Sequence, residues 1–352
     1  MYPHIRIDLN KLAFNTKILT NRCKQKGINT IFGVTKVLAG DMESVDTMVN
    51  SGITHIADSR IENLAKFKDY SMPKVLLRLP MQNEADEVVK YANLSLNSEL
   101  STINCLNTSA KRQNSVHEVI LMIDLGDLRE GIWFKDFNMD TIEQIINLNH
   151  IKLKGIGTNL TCYGGIIPTT ETLEQLVEFK HKIEDTFNIT LDIISGGNTS
   201  SLHLVLIDKM PCGINNLRLG EGIVLGRETA YLEDLADLHQ DVFELKAQII
   251  ELKEKPSVPI GEIGVDAFGK KPIFTDKGTI KRAIVALGKQ DVDPDHIKPQ
   301  NESIEILGSS SDHLILDVTR TDLNLGGIVT FNVDYGGLLQ VMTSPYVKKV
   351  HV

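Results

Sequence analysis

The sequence predicts an α/β protein in which a (β/α)8 TIM barrel is followed by a C-terminal β domain. From about residue 30 to residue 222, eight short β-rich runs alternate with polar, helix-like segments, as parallel βα units do. Runs such as VILMI are apolar throughout rather than alternating, which is typical of strands buried on both faces. After about residue 235, strand-like runs follow one another between Gly, Pro and Asp turns, which indicates a separate β domain.

The barrel strands are predicted, in chain order, at TIFGVTK (30–36), HIADS (55–59), PKVLLRL (73–79), LSLNS (94–98), EVILMID (118–124), LKGIGTN (153–159), LDIISGG (191–197) and NLRLGEG (216–222). Two segments between them, TIEQIINLNHI and TLEQLVEFKHKIEDTF, place apolar residues at intervals of three and four, as outer helices do. Runs such as FELKAQIIEL and IVTFNVDY predict the β domain, and the alternating HIRIDL at the N-terminus is a strand that would pair with it. We therefore expect a barrel over 10–235 and a β domain over 236–352 together with 1–9.

The composition excludes several classes of protein. The chain of 352 residues has 46 acidic and 37 basic residues. No run of Lys and Arg is long enough to bind along the phosphate backbone of a nucleic acid, so we expect no nucleic-acid partner. The N-terminus lacks the apolar core of a secretion signal, and no stretch of about 18 uncharged apolar residues occurs. A cytoplasmic protein without a membrane partner is expected. The cysteines and histidines show neither CxxC nor HExxH spacing, so no metal site is expected.

The chemistry is expected at the carboxyl ends of the barrel strands, where barrel enzymes place their reactive side chains. Lys36 stands at the end of the run TIFGVTK, so its amine would lie in the barrel mouth. A desolvated, neutral amine can attack an aldehyde and form a Schiff base. The position alone also fits a lysine that reaches solvent or pairs with a carboxylate.

Two glycine-containing turns follow the last two barrel strands. SGGNTSS (195–201) joins two glycines to an Asn and hydroxyl side chains before a helix, so backbone N–H groups, hydroxyls and a helix dipole would face an anion together. RLGEG (218–222) follows the next strand, and barrels commonly bind phosphate with their last two βα loops. The pair indicates a phosphate site, although each turn alone also fits an ordinary tight turn.

The segments GVTKVLAGD, SGGNTSS and NLRLGEGIVLG, in this order, resemble the alanine racemase family, the fold-type III pyridoxal-phosphate enzymes. The resemblance runs from end to end, and within the family it is greatest to the ornithine racemase branch, in stretches such as ADSRIENL, DLGDLREGI, GIGTNLTCYGGIIP and PSVPIGEIGVDAFG. It implies pyridoxal 5′-phosphate as cofactor and racemisation of an amino acid, ornithine first, by removal and return of the Cα proton. It also implies a head-to-tail homodimer in which the β domain of one subunit completes the active site of the other.

The resemblance gives individual residues their roles. Lys36 matches the lysine that carries the cofactor as a Schiff base and acts as a base on one face of Cα. Arg218 matches the arginine at the pyridine nitrogen, where a permanent charge keeps that nitrogen unprotonated and weakens the ring as an electron sink. An ion pair of Arg218 with Glu221 or another carboxylate is the alternative. The other cofactor contacts implied are Asn159 at the ring, and at the phosphate Asn198, Thr199, Gly220, Glu221 through its backbone N–H, and Tyr335, which could also be a turn residue.

The chain departs from the family pattern at several positions. Arg129 matches an arginine near the ring hydroxyl and the substrate carboxylate, but Met122 replaces the carbamylated lysine of many alanine racemases, so Arg129 must be positioned differently. Gly40 stands where those enzymes have a phosphate-binding tyrosine. The segment ALGKQD replaces IGYADG, so Lys289 occupies the position of the tyrosine that acts as the opposite-face base. Lys289 is thus either the second base or a solvated surface lysine.

The segment GSSSDHLILDV (308–318) matches the loop that reaches the partner's active site. It supplies the candidates for the substrate's carboxylate or side chain, namely Ser310, Ser311, Asp312 and His313. His313 could instead supply the second proton or simply end a strand. The side-chain ammonium of ornithine would need a carboxylate, for which Asp312, Asp58 and Glu62 are candidates.

Rival functions remain at this stage. An alanine racemase and a broad lysine/ornithine racemase are the alternatives, because the sequence does not give the width of the substrate pocket. A basic amino-acid decarboxylase would have a carboxylate at the pyridine nitrogen and a cysteine in the β-domain loop, where this chain has Arg218 and the serines 310 and 311. A non-catalytic pyridoxal-phosphate carrier leaves the β domain without a purpose, and an aldolase using Lys36 alone leaves Tyr335 and both glycine turns unexplained.

Overall fold

The fold was analysed in a computed structural model, which describes residues 1–266 and 268–352. Residue 267, part of the stretch PSVPIGEIGVDAFG, lies outside the described residues. Contacts between residues divide the chain into two compact units, Leu9–Gln240 and Met1–Asp8 with Asp241–Val352. In the described ranges, no helix combines the length and the apolar character that crossing a membrane requires.

The unit Leu9–Gln240 is built around a closed barrel of eight parallel strands, as the sequence predicts. These are β2 (Thr30–Val34), β3 (His55–Asp58), β4 (Lys74–Leu76), β5 (Leu94–Asn97), β6 (His117–Asp124), β8 (Ile151–Gly157), β9 (Ile193–Asn198) and β10 (Asn216–Leu219). The hydrogen-bonded order is β5-β4-β3-β2-β10-β9-β8-β6, and β5 pairs with β6 to close the ring. A two-residue strand, β7 (Ile132–Trp133), pairs with β6 outside the ring. The (β/α)8 barrel is confirmed.

The apolar runs of the sequence become the barrel core. Eight buried side chains from six of these strands form one cluster, namely Phe32, Ala57, Val75, Leu94, Leu96, Ile120, Met122 and Ile193. Burial of each large apolar side chain stabilises the fold by roughly 1.5 to 3 kcal/mol relative to leaving it exposed. Because the strands are short, the polar residues that follow them lie next to this packed layer, at the carboxyl end of the barrel.

Nine helices belong to the described barrel unit: α1 (Leu9–Gln25), α2 (Met42–Asn50), α3 (Ile61–Lys66), α4 (Ala85–Tyr91), α5 (Leu100–Arg112), α6 (Met139–Ile146), α7 (Thr170–Phe187), α8 (Leu202–Leu206) and α9 (Glu221–Leu225). The helices predicted around 141–151 and 172–187 are α6 and α7. Each begins at a side-chain cap, because Asn138 accepts from the Thr141 N–H at 3.0 Å and Thr169 accepts from the Thr172 N–H at 3.1 Å. Side-chain caps thus fix where these two outer helices start.

The second unit is a β domain, with strands β1 (His4–Ile7), β11 (Phe243–Pro256), β12 (Thr279–Ala286), β13 (Ile297–Pro299), β14 (Glu305–Ser309), β15 (His313–Asp317), β16 (Ile328–Val333) and β17 (Lys348–His351). The main order is β13-β16-β11-β12-β15-β14 and all pairings along it are antiparallel. The N-terminal β1 pairs antiparallel with β11 and parallel with β17. The long strand β11 alternates buried and partly exposed positions over its first half, as a strand with one covered face does.

One helix of this domain, α10 (Tyr335–Thr343), was not predicted. Its cap is Asp334, whose carboxylate accepts from the Gly337 N–H at 2.8 Å. A Cβ on Gly336 would lie 2.7 Å from the ring of His296, and one on Gly337 would lie 2.5 Å from the His296 carbonyl oxygen. The two glycines are therefore required by the close approach of His296 and do not mark a turn.

Candidate active site

Lys36 lies at the carboxyl end of β2 and is half-buried. The strand ends at Val34, two residues earlier than expected, and Lys36 opens a turn of 3-10 helix, Lys36–Leu38. Ala39 and Gly40 then take positive φ values of 53° and 80°, which reverse the chain. Because a positive φ is costly for a large side chain, the turn itself explains why Gly40 is not a tyrosine here.

The strand end below Lys36 is fastened to β3. The Thr35 hydroxyl donates to Asp58 Oδ2 at 2.8 Å, and Asp58 Oδ1 accepts from the Arg60 N–H at 2.9 Å and from Asn63 Nδ2 at 3.1 Å. Burial raises the pKa of the Asp58 carboxyl, and these donors oppose the rise. Since both oxygens are engaged locally, Asp58 acts as an anchor of the turn and is a poor candidate for receiving a substrate ammonium.

Arg218 lies on β10, and its side chain is buried in the barrel with 4% of the residue exposed. Its guanidinium donates to Ser195 Oγ at 2.5 Å, to the Thr158 carbonyl oxygen at 2.7 Å and to Asn159 Oδ1 at 3.2 Å. Burial lowers the pKa of Arg218 to about 10, so the group keeps its charge at neutral pH. Three neutral oxygens hold this cation, and the Glu221 ion pair considered for it is not among these contacts.

Asn159 and Asn198 link the ends of β8 and β9. Asn198 Nδ2 donates to Asn159 Oδ1 and to the Leu160 carbonyl oxygen, both at 3.0 Å, and to Cys162 Sγ at 3.3 Å. Asn198 Oδ1 accepts from the Ser200 N–H at 2.7 Å. The amide of Asn198 is thus used to shape the loop, so any contact it makes with a phosphate would come from its backbone.

The two glycine turns meet. The Gly220 and Gly222 N–H groups both point to Thr199 Oγ1 at 3.4 Å, the long limit of a hydrogen bond. Gly197 has a φ of 114°, which a side chain would strain, and a Cβ on Gly220 would lie 3.0 Å from Val34 Cβ. Because the glycines carry no side chains, the two turns approach each other closely. The Thr199 hydroxyl and the weakly bonded N–H groups of Gly220 and Gly222 therefore lie together.

These residues fit the cofactor that the sequence implies. Within the described part of the chain, the buried Asn159 Nδ2 and Thr158 Oγ1 have no hydrogen-bond partner, although both residues accept from the Arg218 guanidinium through a different atom, an oxygen. Unsatisfied buried polar atoms are costly unless a ligand pairs with them. A polar aromatic ring at Arg218 and a phosphate at the Thr199 donors would match the donor set, with Lys36 as the amine.

Arg129 lies in the loop after β6 and makes a forked ion pair with its neighbour Glu130. Arg129 Nη2 donates to Glu130 Oε1 at 2.5 Å, and Nε donates to Oε2. The Glu130 side chain is only 12% exposed, whereas that of Arg129 is 41% exposed. Burial acts to lower the pKa of Arg129, but the hydrogen bonds and charge of Glu130, with smaller contributions from Cys162 and Asp127, together raise it. Sequence reasoning missed Glu130, for which the adjacent Arg-Glu pair after a strand was the available signal.

A second carboxylate, that of Asp127, joins the loop after β6 to the loop after β8 by hydrogen bonds. Asp127 is fully buried, and its carboxylate accepts from the Tyr163 and Gly164 N–H groups at 3.0 Å and from the Ile166 N–H at 3.3 Å. A Cβ on Gly164 would lie 2.7 Å from the Asp127 carbonyl oxygen. Because Tyr163 belongs to the loop that begins at Asn159, the loops carrying Arg129 and Asn159 are held together. Met122 is fully buried in the barrel core and makes no part of this polar network.

The candidates Lys289, Ser310, Ser311, Asp312 and His313 lie together within the β domain. The Lys289 N–H donates to the Ser310 carbonyl oxygen at 2.9 Å, and the Lys289 ammonium lies 4.2 Å from the centroid of the Phe268 ring. The Ser311 hydroxyl donates to Asp312 Oδ2 at 2.7 Å, and His313 is exposed at the start of β15. Tyr335, the first residue of α10, is half-buried elsewhere in the same domain.

Comparison with known proteins decides the family. The family model "Alanine racemase, N-terminal domain" matches residues 7–228. The chain belongs to the alanine racemase family. An ornithine racemase of Acetoanaerobium sticklandii is 50% identical over 351 residues, which cover 99% of each chain. A lysine racemase of Thermotoga maritima is 41% identical over 354 residues, covering 100% of this chain and 99% of that one.

The structural comparison agrees. An alanine racemase of Bartonella henselae with covalently bound pyridoxal phosphate superposes with a TM-score of 0.74 at 16% identity and covers 100% of both chains. The likeness shows the fold, a barrel with a β domain. The alanine racemase family expected from the sequence is confirmed, and, like its relatives of that family, the chain is an amino-acid racemase, an isomerase.

Proposed function

We propose that this chain is a pyridoxal-phosphate-dependent racemase of ornithine. The observation that carries the proposal is the buried Arg218, held by neutral oxygens beside two unpartnered polar atoms and on the same barrel face as Lys36. The ornithine racemase that is 50% identical over nearly the whole of both chains supports the substrate. The lysine racemase at 41% identity makes lysine the second candidate.

Each residue has a defined task in this proposal. When bound, pyridoxal phosphate withdraws electrons from the substrate and so makes its Cα proton removable. Lys36 holds the cofactor covalently and exchanges a proton with one face of Cα. Arg218 keeps its charge next to the ring nitrogen and denies that nitrogen a proton, which favours prompt return of a proton to Cα. Thr199, with the N–H groups of 220 and 222, receives the phosphate.

The second proton is assigned to Lys289 on the β domain. Racemisation removes a proton from one face of Cα and delivers one to the other, which needs two groups or one that moves. A lysine can serve as a base when its amine is neutral. The head-to-tail homodimer and the cytoplasmic location expected from the sequence belong to this proposal as well, as do substrate contacts from residues 310–313 and a phosphate contact from Tyr335.

The substrate is tested by incubating pure holoenzyme with single L-amino acids and separating the enantiomers by chiral chromatography. D-Ornithine is expected to appear fastest, with D-lysine next and D-alanine at a rate lower by about 10-fold or more, since one good charged contact contributes about 1.4 kcal/mol or more. Formation of the decarboxylated diamine instead of a D-amino acid would refute the reaction. Faster conversion of alanine than of ornithine would refute the substrate.

The role of Lys289 is tested by isotope exchange at Cα in deuterated water. Lys289→Ala is expected to slow exchange from one enantiomer by about 10²-fold and from the other far less, because only one face loses its base. Lys253→Ala, which changes an exposed lysine on β11, is the matched control and should leave both rates unchanged. Equal losses from the two enantiomers would argue against Lys289 as a base.

A further inference from the structure

None of the roles assigned above explains why the carboxylate of Glu130 is nearly buried. It is a nearly buried carboxylate at the mouth of the barrel, its side chain 12% exposed, and it neither caps a helix nor lies in the barrel core. Its two oxygens are both directed to one guanidinium, that of Arg129. Glu130 also raises the pKa of the fully buried Arg218 against the larger effect of burial. One carboxylate therefore serves two arginines.

The geometry of the fork leaves half of Arg129 available. A guanidinium carries five N–H groups in one plane and has two edges that can each bind a carboxylate with two parallel hydrogen bonds. Glu130 occupies the edge formed by Nε and Nη2. The edge formed by Nη1 and the second hydrogen of Nη2 is not used by this pair. It is the shape that receives a second carboxylate.

The backbone around Glu130 is fixed before any ligand arrives. Asp124 Oδ1 accepts from the Gly126 N–H at 2.9 Å and from the Leu128 N–H at 3.2 Å, and Leu128 takes a φ of 57°. Asp127 clasps the loop from the other side through three N–H groups. A Cβ on Gly131 would lie 2.4 Å from the Asp124 nitrogen. The direction of the Arg129 edge is thus set by a rigid loop.

We propose that Glu130 is a positioning residue that holds the Nε edge of Arg129 and so presents the Nη1 edge to the α-carboxylate of the amino-acid substrate. This inference rests on the proposed function, because it needs an amino acid at the Lys36 site. The resemblance already implies Arg129 as the receptor of the carboxylate, and the new assignment is Glu130 as the residue that orients it. Without Glu130, the half-exposed Arg129 side chain is expected to turn toward solvent.

The test compares two ligands that differ only in the carboxylate. L-Ornithine and 1,4-diaminobutane are titrated into holoenzyme, and binding is followed by the change in cofactor absorbance. Glu130→Gln keeps the size of the side chain and removes its charge. It is expected to weaken L-ornithine binding by about 10-fold or more and to change diamine binding less than about twofold. Kinetically, KM for ornithine rises more than kcat falls.

Two further variants make the result decisive. Glu118→Gln removes a lysine-paired carboxylate near the start of β6, the strand that precedes the Glu130 loop. This carboxylate lies 2.9 Å from Lys154 Nζ, and its removal should change neither titration. Arg129→Lys removes the planar fork while leaving Glu130 in place, and should reproduce the selective loss. This second variant gives an independent reading if Glu130→Gln does not fold.

Equal weakening of both ligands by Glu130→Gln, or no weakening of either, would overturn the role of Glu130. Failure of the proposed function looks different, because wild-type holoenzyme would then not convert L-ornithine into D-ornithine. The two failures are therefore separated by chiral chromatography of the wild-type reaction.

Discussion

Lys36→Ala is expected to abolish the visible absorbance of the protein-bound Schiff base and to lower racemisation by about 10³-fold or more. The substitution removes both the covalent attachment of the cofactor and the base on one face of Cα, and a general base alone contributes about 10²- to 10⁴-fold. The barrel should survive, since the side chain is only half-buried and follows the last residue of β2 by two positions. Absorption spectra and chiral chromatography measure the two losses.

The matched control is Lys66→Ala. Lys66 Nζ donates to the Ala39 carbonyl oxygen at 3.2 Å, so this ammonium lies beside the same turn but is assigned no reaction. The control should keep the absorbance. A Lys36→Ala protein that retained it would remove the foundation of the proposal.

Arg218→Gln is the second large effect. The substitution keeps hydrogen-bond donors but removes the permanent charge that denies the ring nitrogen a proton. Racemisation is expected to fall by about 10²-fold, the cost typical of losing one electrostatic contact in a buried site. Side reactions that move the amino group onto the cofactor should make up a larger share of all turnovers. Chiral chromatography gives the rate of racemisation, and the absorption spectrum during turnover gives the fraction of the cofactor that has been converted to the amine form.

Arg112→Gln on α5 is a control with the same change of residue at an exposed ion pair with Asp86. It should leave both quantities unchanged, because exposed ion pairs contribute little. An Arg218→Gln enzyme with normal rate and no added side reaction would show that the charge at this position is not used.

The barrel could be predicted from the sequence because its signal is local. A strand buried on both faces is apolar along its whole length, and runs such as EVILMID cannot be satisfied on a surface. Strand ends were less secure, since both Lys36 and Glu221 continue apolar runs but open helical turns. Helix α10 was not predicted because its two glycines are needed for the close approach of His296. That residue lies about 40 positions earlier in the sequence.

The candidate site was predicted only in part. The lysine, the arginine and the glycine turns could be named because each lies at or just after the carboxyl end of a strand, and parallel strands in a barrel end on one face. The partners of Arg218 could not be named, since Ser195 lies on β9 whereas Thr158 and Asn159 follow β8. They meet the guanidinium only in three dimensions. Glu130 and Asp127 were missed for a related reason: in a sequence, a carboxylate that orients an arginine or clasps a loop looks like any surface acid.

The clasp at Asp127 has a consequence for how this enzyme can diverge. Its carboxylate joins three N–H groups of a loop more than 35 residues further along the chain, and the contact leaves no room for a side chain at Gly164. Neither loop can be exchanged alone without stranding buried donors or creating a clash. Exchange of one loop is therefore expected to require a matching change in the other, so an attempt to alter the Arg129 loop has to include the segment around Gly164.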